Sequence, residues 1–179
     1  MTVSIGQAVA EFSLAATAGK TISLSSLQGK RVVLYFYPKD ATPGCTLESQ
    51  QFRDLHAEFV AANTVILGVS RDSVKSHDKF QAAQELPFDL LSDADEALCT
   101  SFDVIKLKNM YGKQVLGIER STFLIDEAGV LRQEWRKLKA EEAYNSASLA
   151  ERRTKDKAFG KMVRRAKNLK NAKDWGHGI

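Results

Sequence analysis

The sequence predicts an α/β fold, a central mixed β-sheet flanked by helices, and three observations carry that reading. "RVVLYFYP", 31 to 38, is an unbroken apolar run rich in β-branched and aromatic residues, the pattern of a strand buried on both faces. "TVILGVS", 64 to 70, is a second run of the same kind. Between them Leu47, Phe52, Leu55 and Phe59 recur at helical spacing, so strand, helix and strand make a parallel βαβ unit.

The other elements follow in order. The N-terminal stretch reads as a β-hairpin, and Pro38 stops the first buried strand. A helix is expected over 73 to 85, then a short strand "FDLL" at 88 to 91, and "DADEALCTSF" has the acidic start of another helix. "QVLGIERSTFLID" and "VLRQEWRKL" are separated by "EAG", with Gly129 at the turn, which predicts a closing hairpin. Phe159, Met162, Val163, Ala166 and Leu169 then repeat at helical spacing among basic residues, predicting a terminal helix. No internal repeat or low-complexity segment interrupts this order.

Composition narrows the classes. A chain of 179 residues with 44% hydrophobic content and nine Phe fills a core. No apolar run has membrane-spanning length, and the start lacks the order of a secretory signal, so a soluble, cytoplasmic protein is expected. Residues 151–179 carry ten Lys/Arg against three acids, whereas residues 1–150 carry sixteen against nineteen. The basic character belongs to the tail, and the body offers nucleic acid no electrostatic footprint. We divide the chain accordingly into a domain, 1–145, and a basic helical extension, 146–179. The extension reads as a docked helix with a solvated cationic face; an anionic surface, nucleic acid or a partner protein is the alternative occupant.

Two cysteines are too few for a disulfide framework, and Cys45 and Cys99 are no C-x-x-C pair. Cys45 follows Pro43 and Gly44 where the first buried strand gives way to a helix, beyond the carboxyl end of that strand, where open α/β sheets gather reactive groups. The start of a helix favours a thiolate over a thiol. Thr42 adds a hydroxyl, Gly44 admits close backbone approach, and Pro38 and Pro43 stiffen the loop. Arg120 interrupts the apolar stretch "GIERSTFLID", a costly place for a charge unless it faces a polar site. It is expected to point at Cys45; pairing with Glu119 or Glu134 on a solvated face is the alternative. Cys99 lies beside Leu98 and near Phe102 on a core-facing stripe, the setting of a structural cysteine. His56, His77 and His177 stand far apart with no ligand spacing to the cysteines, so no metal is assigned. No phosphate-loop or dinucleotide pattern is present either, and no cofactor is expected.

"YFYPKDATPGCTLES" carries the P-x-x-x-T-x-x-C signature of the peroxiredoxins as Pro38, Thr42 and Cys45. With "TPGCT", "FRD", "VILGVSRDS", "LLSDADEALCTSFDV", "YGK" and "STFLIDEAGVL" in order, residues 3 to 135 resemble the bacterioferritin comigratory protein or PrxQ subfamily. The resemblance implies a thioredoxin-like fold and a thiol-dependent peroxidase without a cofactor. In that reading Cys45 is the peroxidatic cysteine, Thr42 and Arg120 orient the peroxide, Glu48 positions the arginine and Pro38 shields the sulfur. It also implies a hydroperoxide substrate, a thioredoxin, glutaredoxin or small-thiol reductant, and a monomer.

Two positions depart from the subfamily pattern. Ala10 stands where a proline is usual, and Gln50 stands where many members carry a second cysteine five residues after the first. The second departure removes one route to a disulfide. An external thiol is the favoured resolver of the oxidised Cys45, and Cys99 after a helix rearrangement or an intermolecular disulfide is the alternative. Two readings compete with the peroxidase: a thiol-disulfide oxidoreductase, which the missing C-x-x-C disfavours, and a thioredoxin-like binding protein acting through its basic tail.

Overall fold

The computed structural model describes residues 2–138, 161, 162 and 164–166. A small hairpin of β1 (Ser13–Ala15) and β2 (Thr21–Ser23) precedes β3 (Arg31–Phe36), α1 (Pro43–Ala61) and β4 (Thr64–Ser70). Then come α2 (Val74–Gln84), β5 (Asp89–Ser92), α3 (Ala97–Ser101), β6 (Ile105–Met110), β7 (Lys113–Ile118), β8 (Ser121–Ile125) and β9 (Leu131–Trp135). The main sheet has the order β5-β4-β3-β8-β9. β3 runs parallel to β4 and β4 to β5, whereas β8 is antiparallel to both β3 and β9. The sheet is mixed and flanked by helices, as the sequence predicts.

β3 is central because nothing in it asks for water. Side chains alternate between faces along a strand, and both sets here are apolar. Val33, Tyr35 and Tyr37 pack on one face with Phe52 and Phe59 of α1 and Phe80 of α2. Val32, Leu34 and Phe36 pack on the other with Leu98, Cys99 and Phe102, and with Val3 and Val9 from the N-terminal segment. Gly68 of β4 is required by packing: a Cβ there would lie 2.6 Å from Leu90 and 2.8 Å from the Tyr35 ring, inside van der Waals contact. That ring lies against Phe52, with centroids 4.5 Å apart, so a missing side chain on β4 makes room for the aromatic layer beneath α1.

The expected hairpin around "EAG" is β8–β9, with Gly129 at φ 82 in its turn and a register shift between Leu124 and Ile125. The expected single strand "QVLGIERSTFLID" is instead two strands. "KQVLGI" pairs with "IKLKNM" as a separate β6–β7 hairpin, and Glu119 and Arg120 link it to β8 outside any strand. The reason is local: Tyr111 and Gly112 take φ 52 and φ 78, the pair of positive values that a tight two-residue hairpin turn demands. Alternation of Ile105 and Leu107 with Lys106 and Lys108 was the legible sign.

From the expected terminal helix, Met162 and Ala166 are buried in the cluster that contains Phe59, Ala62 and Ile66. Arg31 Nη1 donates to the carbonyls of both Ala62 and Ala166, at 2.9 and 2.7 Å, tying that segment to the end of α1. Phe159, Val163 and Leu169 of the expected stripe lie outside the described residues. No helix among the described residues is long and apolar enough to cross a membrane.

Candidate active site

α1 begins where Thr42 holds an extended backbone (φ −84, ψ 153) and Pro43 supplies the first helical residue, a position proline favours because its missing N–H needs no partner there. Its first backbone bond runs from Thr46 N–H to the Thr42 carbonyl, at 2.9 Å. The N–H groups of Gly44 and Cys45 therefore lie ahead of the helical ladder, at the positive end of the helix dipole. Cys45 occupies the first turn and is 1% exposed.

Arg120 reaches this turn from the link between β7 and β8. Its Nη2 donates to Cys45 Sγ at 3.2 Å, and its Nη1 donates to Glu48 Oε1 at 2.7 Å. Both Arg120 and Glu48 are buried. Burial works against the guanidinium's charge, but attraction to Glu48 and then to Cys45 outweighs it, so the pKa of Arg120 lies above the ordinary arginine value. Arg120 pairs with neither Glu119 nor Glu134; Glu134 bonds Arg136 instead. Glu48 faces inward because it stands three residues after Cys45, one turn along α1.

Thr42 and Pro38 lie in the loop that leads into this turn. The Thr42 hydroxyl donates to the Lys39 carbonyl at 2.8 Å, and the half-buried Pro38 follows the buried Tyr37 just beyond β3. Gln50, in the second turn of α1, donates to Gln84 Oε1 at 2.9 Å, while Arg53 bonds the Gln84 carbonyl. These contacts clasp α1 to α2.

Cys99 is elsewhere. It is fully buried in the cluster on the opposite face of the sheet from Cys45. Asp93 accepts from the N–H groups of Leu98 and Cys99, at 3.1 and 2.7 Å, capping α3. Burial, then the hydrogen bond to Asp93 and its negative charge, push the Cys99 thiol well up. A neutral, enclosed thiol is a poor nucleophile.

Sequence spacing gave no sign of one further cluster. Asp40, Asp72 and His77 bring potential ligand atoms within 4.8 Å of one another, but their atoms are engaged in hydrogen bonds. His77 Nδ1 and Nε2 face Asp40 Oδ2 and the Leu91 carbonyl, and Asp72 accepts from Ser70 and the Asp40 N–H. They read as a structural network, contributed by the loop after β3 and by the junction of β4 with α2, which only folding brings together.

A sheet of this topology with a lone cysteine at the start of a helix and a guanidinium on its sulfur defines a class: thiol proteins of thioredoxin-like fold. The AhpC/TSA family matches residues 5–134. Peroxiredoxin Bcp of Bacillus subtilis is 51% identical over 142 residues, covering 79% of this chain and 90% of that protein. Peroxiredoxin Bcp of Xanthomonas campestris is 60% identical over 126 residues, 70% and 79% of the two chains. A solved structure, of the Xanthomonas campestris bacterioferritin comigratory protein and concerned with its alkyl peroxide reduction activity, superposes with a TM-score of 0.69 at 52% identity, covering 80% and 91%. The chain belongs to the AhpC/TSA family, in its bacterioferritin comigratory protein or PrxQ branch. It is a peroxiredoxin, a thiol-dependent peroxidase.

Proposed function

We propose that Cys45 is the peroxidatic nucleophile, and that an external thiol rather than Cys99 completes the cycle. The observation that carries the first half is the Arg120 bond to Cys45 Sγ, with Glu48 holding the same guanidinium. The guanidinium fixes the sulfur in place, and the thiolate is the form of a cysteine that attacks. The thiolate takes the terminal OH of a hydroperoxide as the O–O bond breaks, and the hydroxide or alkoxide that leaves recovers from solvent the proton the thiol gave up, departing as water or an alcohol. Cys45 is left as a sulfenic acid. Arg120 and the unbonded N–H groups at the start of α1 are placed to stabilise charge growing on the departing oxygen. Thr42 turns its hydroxyl from the Lys39 carbonyl to the peroxide, and Pro38 keeps water from the sulfur. The alkyl peroxide activity of the Xanthomonas campestris relative supports organic hydroperoxides beside hydrogen peroxide as substrates.

The second half rests on where the other thiol is. A Cys45–Cys99 disulfide would have to form across the sheet, between its two separate cores. Gln50 offers no sulfur and helps hold α1 folded against α2. A thioredoxin, glutaredoxin or small thiol then attacks the sulfenic acid directly, releasing water and leaving a mixed disulfide that a second thiol reduces. We read residues 1–145 as the catalytic domain and the basic extension as packing against it through Met162 and Ala166.

Mass spectrometry after one equivalent of hydrogen peroxide tests both halves. The expected product is a sulfenic acid on Cys45, trapped by dimedone, with Cys99 still reduced. An internal Cys45–Cys99 disulfide would reject the external resolver, and an unmodified Cys45 would reject the nucleophile.

A further inference from the structure

Asp40 stands two residues before Thr42, and the steps above leave it unused. Its carboxylate receives three side chains: Tyr37 Oη at 2.6 Å on Oδ1, and Ser76 Oγ at 2.9 Å and His77 Nδ1 at 2.7 Å on Oδ2. Its backbone N–H donates to Asp72 Oδ2 at 2.9 Å, and Ser70 Oγ holds that carboxylate at 2.5 Å. His77, on α2, is wholly buried, and its Nε2 meets the Leu91 carbonyl of β5 at 2.9 Å.

The proton arrangement follows from what each atom can do. A carbonyl only accepts, so His77 Nε2 carries a hydrogen. Nδ1 meets the Asp40 carboxyl oxygen Oδ2 at 2.7 Å, a hydrogen bond between the two side chains. Burial, then the negative neighbours, raise the pKa of the Tyr37 phenol, which keeps it a donor to Asp40. The groups facing His77 are thus Tyr37 from the end of β3, Asp40 from the loop, Asp72 and Ser76 from the start of α2, and a β5 carbonyl.

This network grips a strained point. Ala41, between Asp40 and Thr42, has φ 62, a left-handed conformation that a residue with a Cβ adopts only when its neighbours enforce it. The residue that follows opens α1. We propose that His77 is a positioning residue for peroxide reduction: acting through Asp40, it holds the strained turn at Ala41 and so sets Thr42 and the start of α1 around Cys45 Sγ. The proposal rests on Cys45 being the peroxidatic thiol.

Two substitutions separate the two bonds of the ring. Asparagine in place of His77 puts an amide near the position of Nδ1 and keeps a donor for Asp40; glutamine puts it near Nε2 and keeps only the Leu91 carbonyl. Each protein is assayed for Cys45 oxidation by hydrogen peroxide and for Cys45 alkylation by iodoacetamide, which needs a thiolate but no aligned oxygens. His77→Gln is expected to lower the peroxide rate constant about tenfold or more, with alkylation kept within about twofold. His77→Asn is expected to recover the peroxide rate to within about threefold of wild type. Equal losses in both variants, no loss in His77→Gln, or a parallel fall in alkylation overturns the proposal. If a melting curve shows His77→Gln unfolded, Asp40→Asn decides by the same pair of rates, with the same loss expected. Wild-type protein that fails to consume peroxide sinks the reading of Cys45 itself, whereas active wild type beside fully active His77→Gln sinks only the role of His77.

Discussion

The guanidinium of Arg120 is shared between Cys45 Sγ and Glu48 Oε1, at 3.2 and 2.7 Å, in a site closed to solvent. One side chain thereby links the link after β7 to two successive turns of α1. Its charge persists because Glu48 and Cys45 outweigh the cost of burial.

Loss of that donor is expected to slow peroxide attack. Arg120→Met should lower the second-order rate constant for Cys45 oxidation by about 10²- to 10³-fold, the usual cost of one charge-stabilising donor. Stopped-flow fluorescence checks it. Because a buried ion pair with Glu48 is then broken, the variant should also lose about 3–5 kcal/mol of stability. Adding Glu48→Gln should restore much of the stability and none of the rate.

Cys99 should make stability pH-dependent. Its folded pKa is raised above the ordinary thiol value of 9.0, so the folded state holds this proton more tightly than the unfolded chain does. The contribution is fully present below that ordinary value and is lost as pH rises above it. Cys99→Ala is expected to melt below wild type at pH 7, with the gap narrowing by pH 10. A gap that stays constant or widens between the two pH values contradicts the assignment.

Gly68→Ala tests the aromatic layer beneath α1. The added Cβ would overlap Leu90 and Tyr35, and Tyr35 Oη in turn bonds Ser49 Oγ at 3.0 Å. Overpacking of this kind costs about 1–3 kcal/mol, read by urea denaturation. A variant as stable as wild type means that Tyr35 moves freely, which its stacking on Phe52 argues against.

Arg31 couples the C-terminal helical segment to the domain. Arg31→Ala removes donors from the Ala62 and Ala166 carbonyls and a 3.1 Å ion pair with Glu127, an expected loss of about 1.5–3 kcal/mol. Met162→Ala, which empties a buried site, should cost about 2–5 kcal/mol. Because both side chains hold the same segment, the double variant should lose less than the two single losses combined. Additive losses would mean the segment docks without Arg31.

Much of the site could be read before folding. Cys45, Thr42 and Pro38 fall within one loop, and a cysteine after Pro-Gly at a strand-to-helix junction stands out against an apolar background. Arg120 was visible as a charge in apolar company, but it does not sit in mid-strand: the stretch breaks at Glu119 and Arg120, between β7, which pairs back on β6, and β8. His77 could not be singled out. A histidine inside an ordinary amphipathic pattern acquires meaning only from Asp40, 37 residues earlier, and from a carbonyl on another strand.

Taken alone, the sequence determined the α/β class, the parallel unit from residue 31 to 70 and the place of Cys45 at a strand-to-helix junction, because these depend on local periodicity and on one loop. Tertiary structure decided everything that depends on faces and distances. It set Cys45 and Cys99 on opposite sides of one sheet, brought Arg120 across 75 residues to the sulfur, and gathered Asp40, Tyr37 and His77 around a strained turn. The physical reason is that a strand alternates its sides with every residue. Which side a thiol or a cation meets is settled only when strands far apart in the chain lie next to one another.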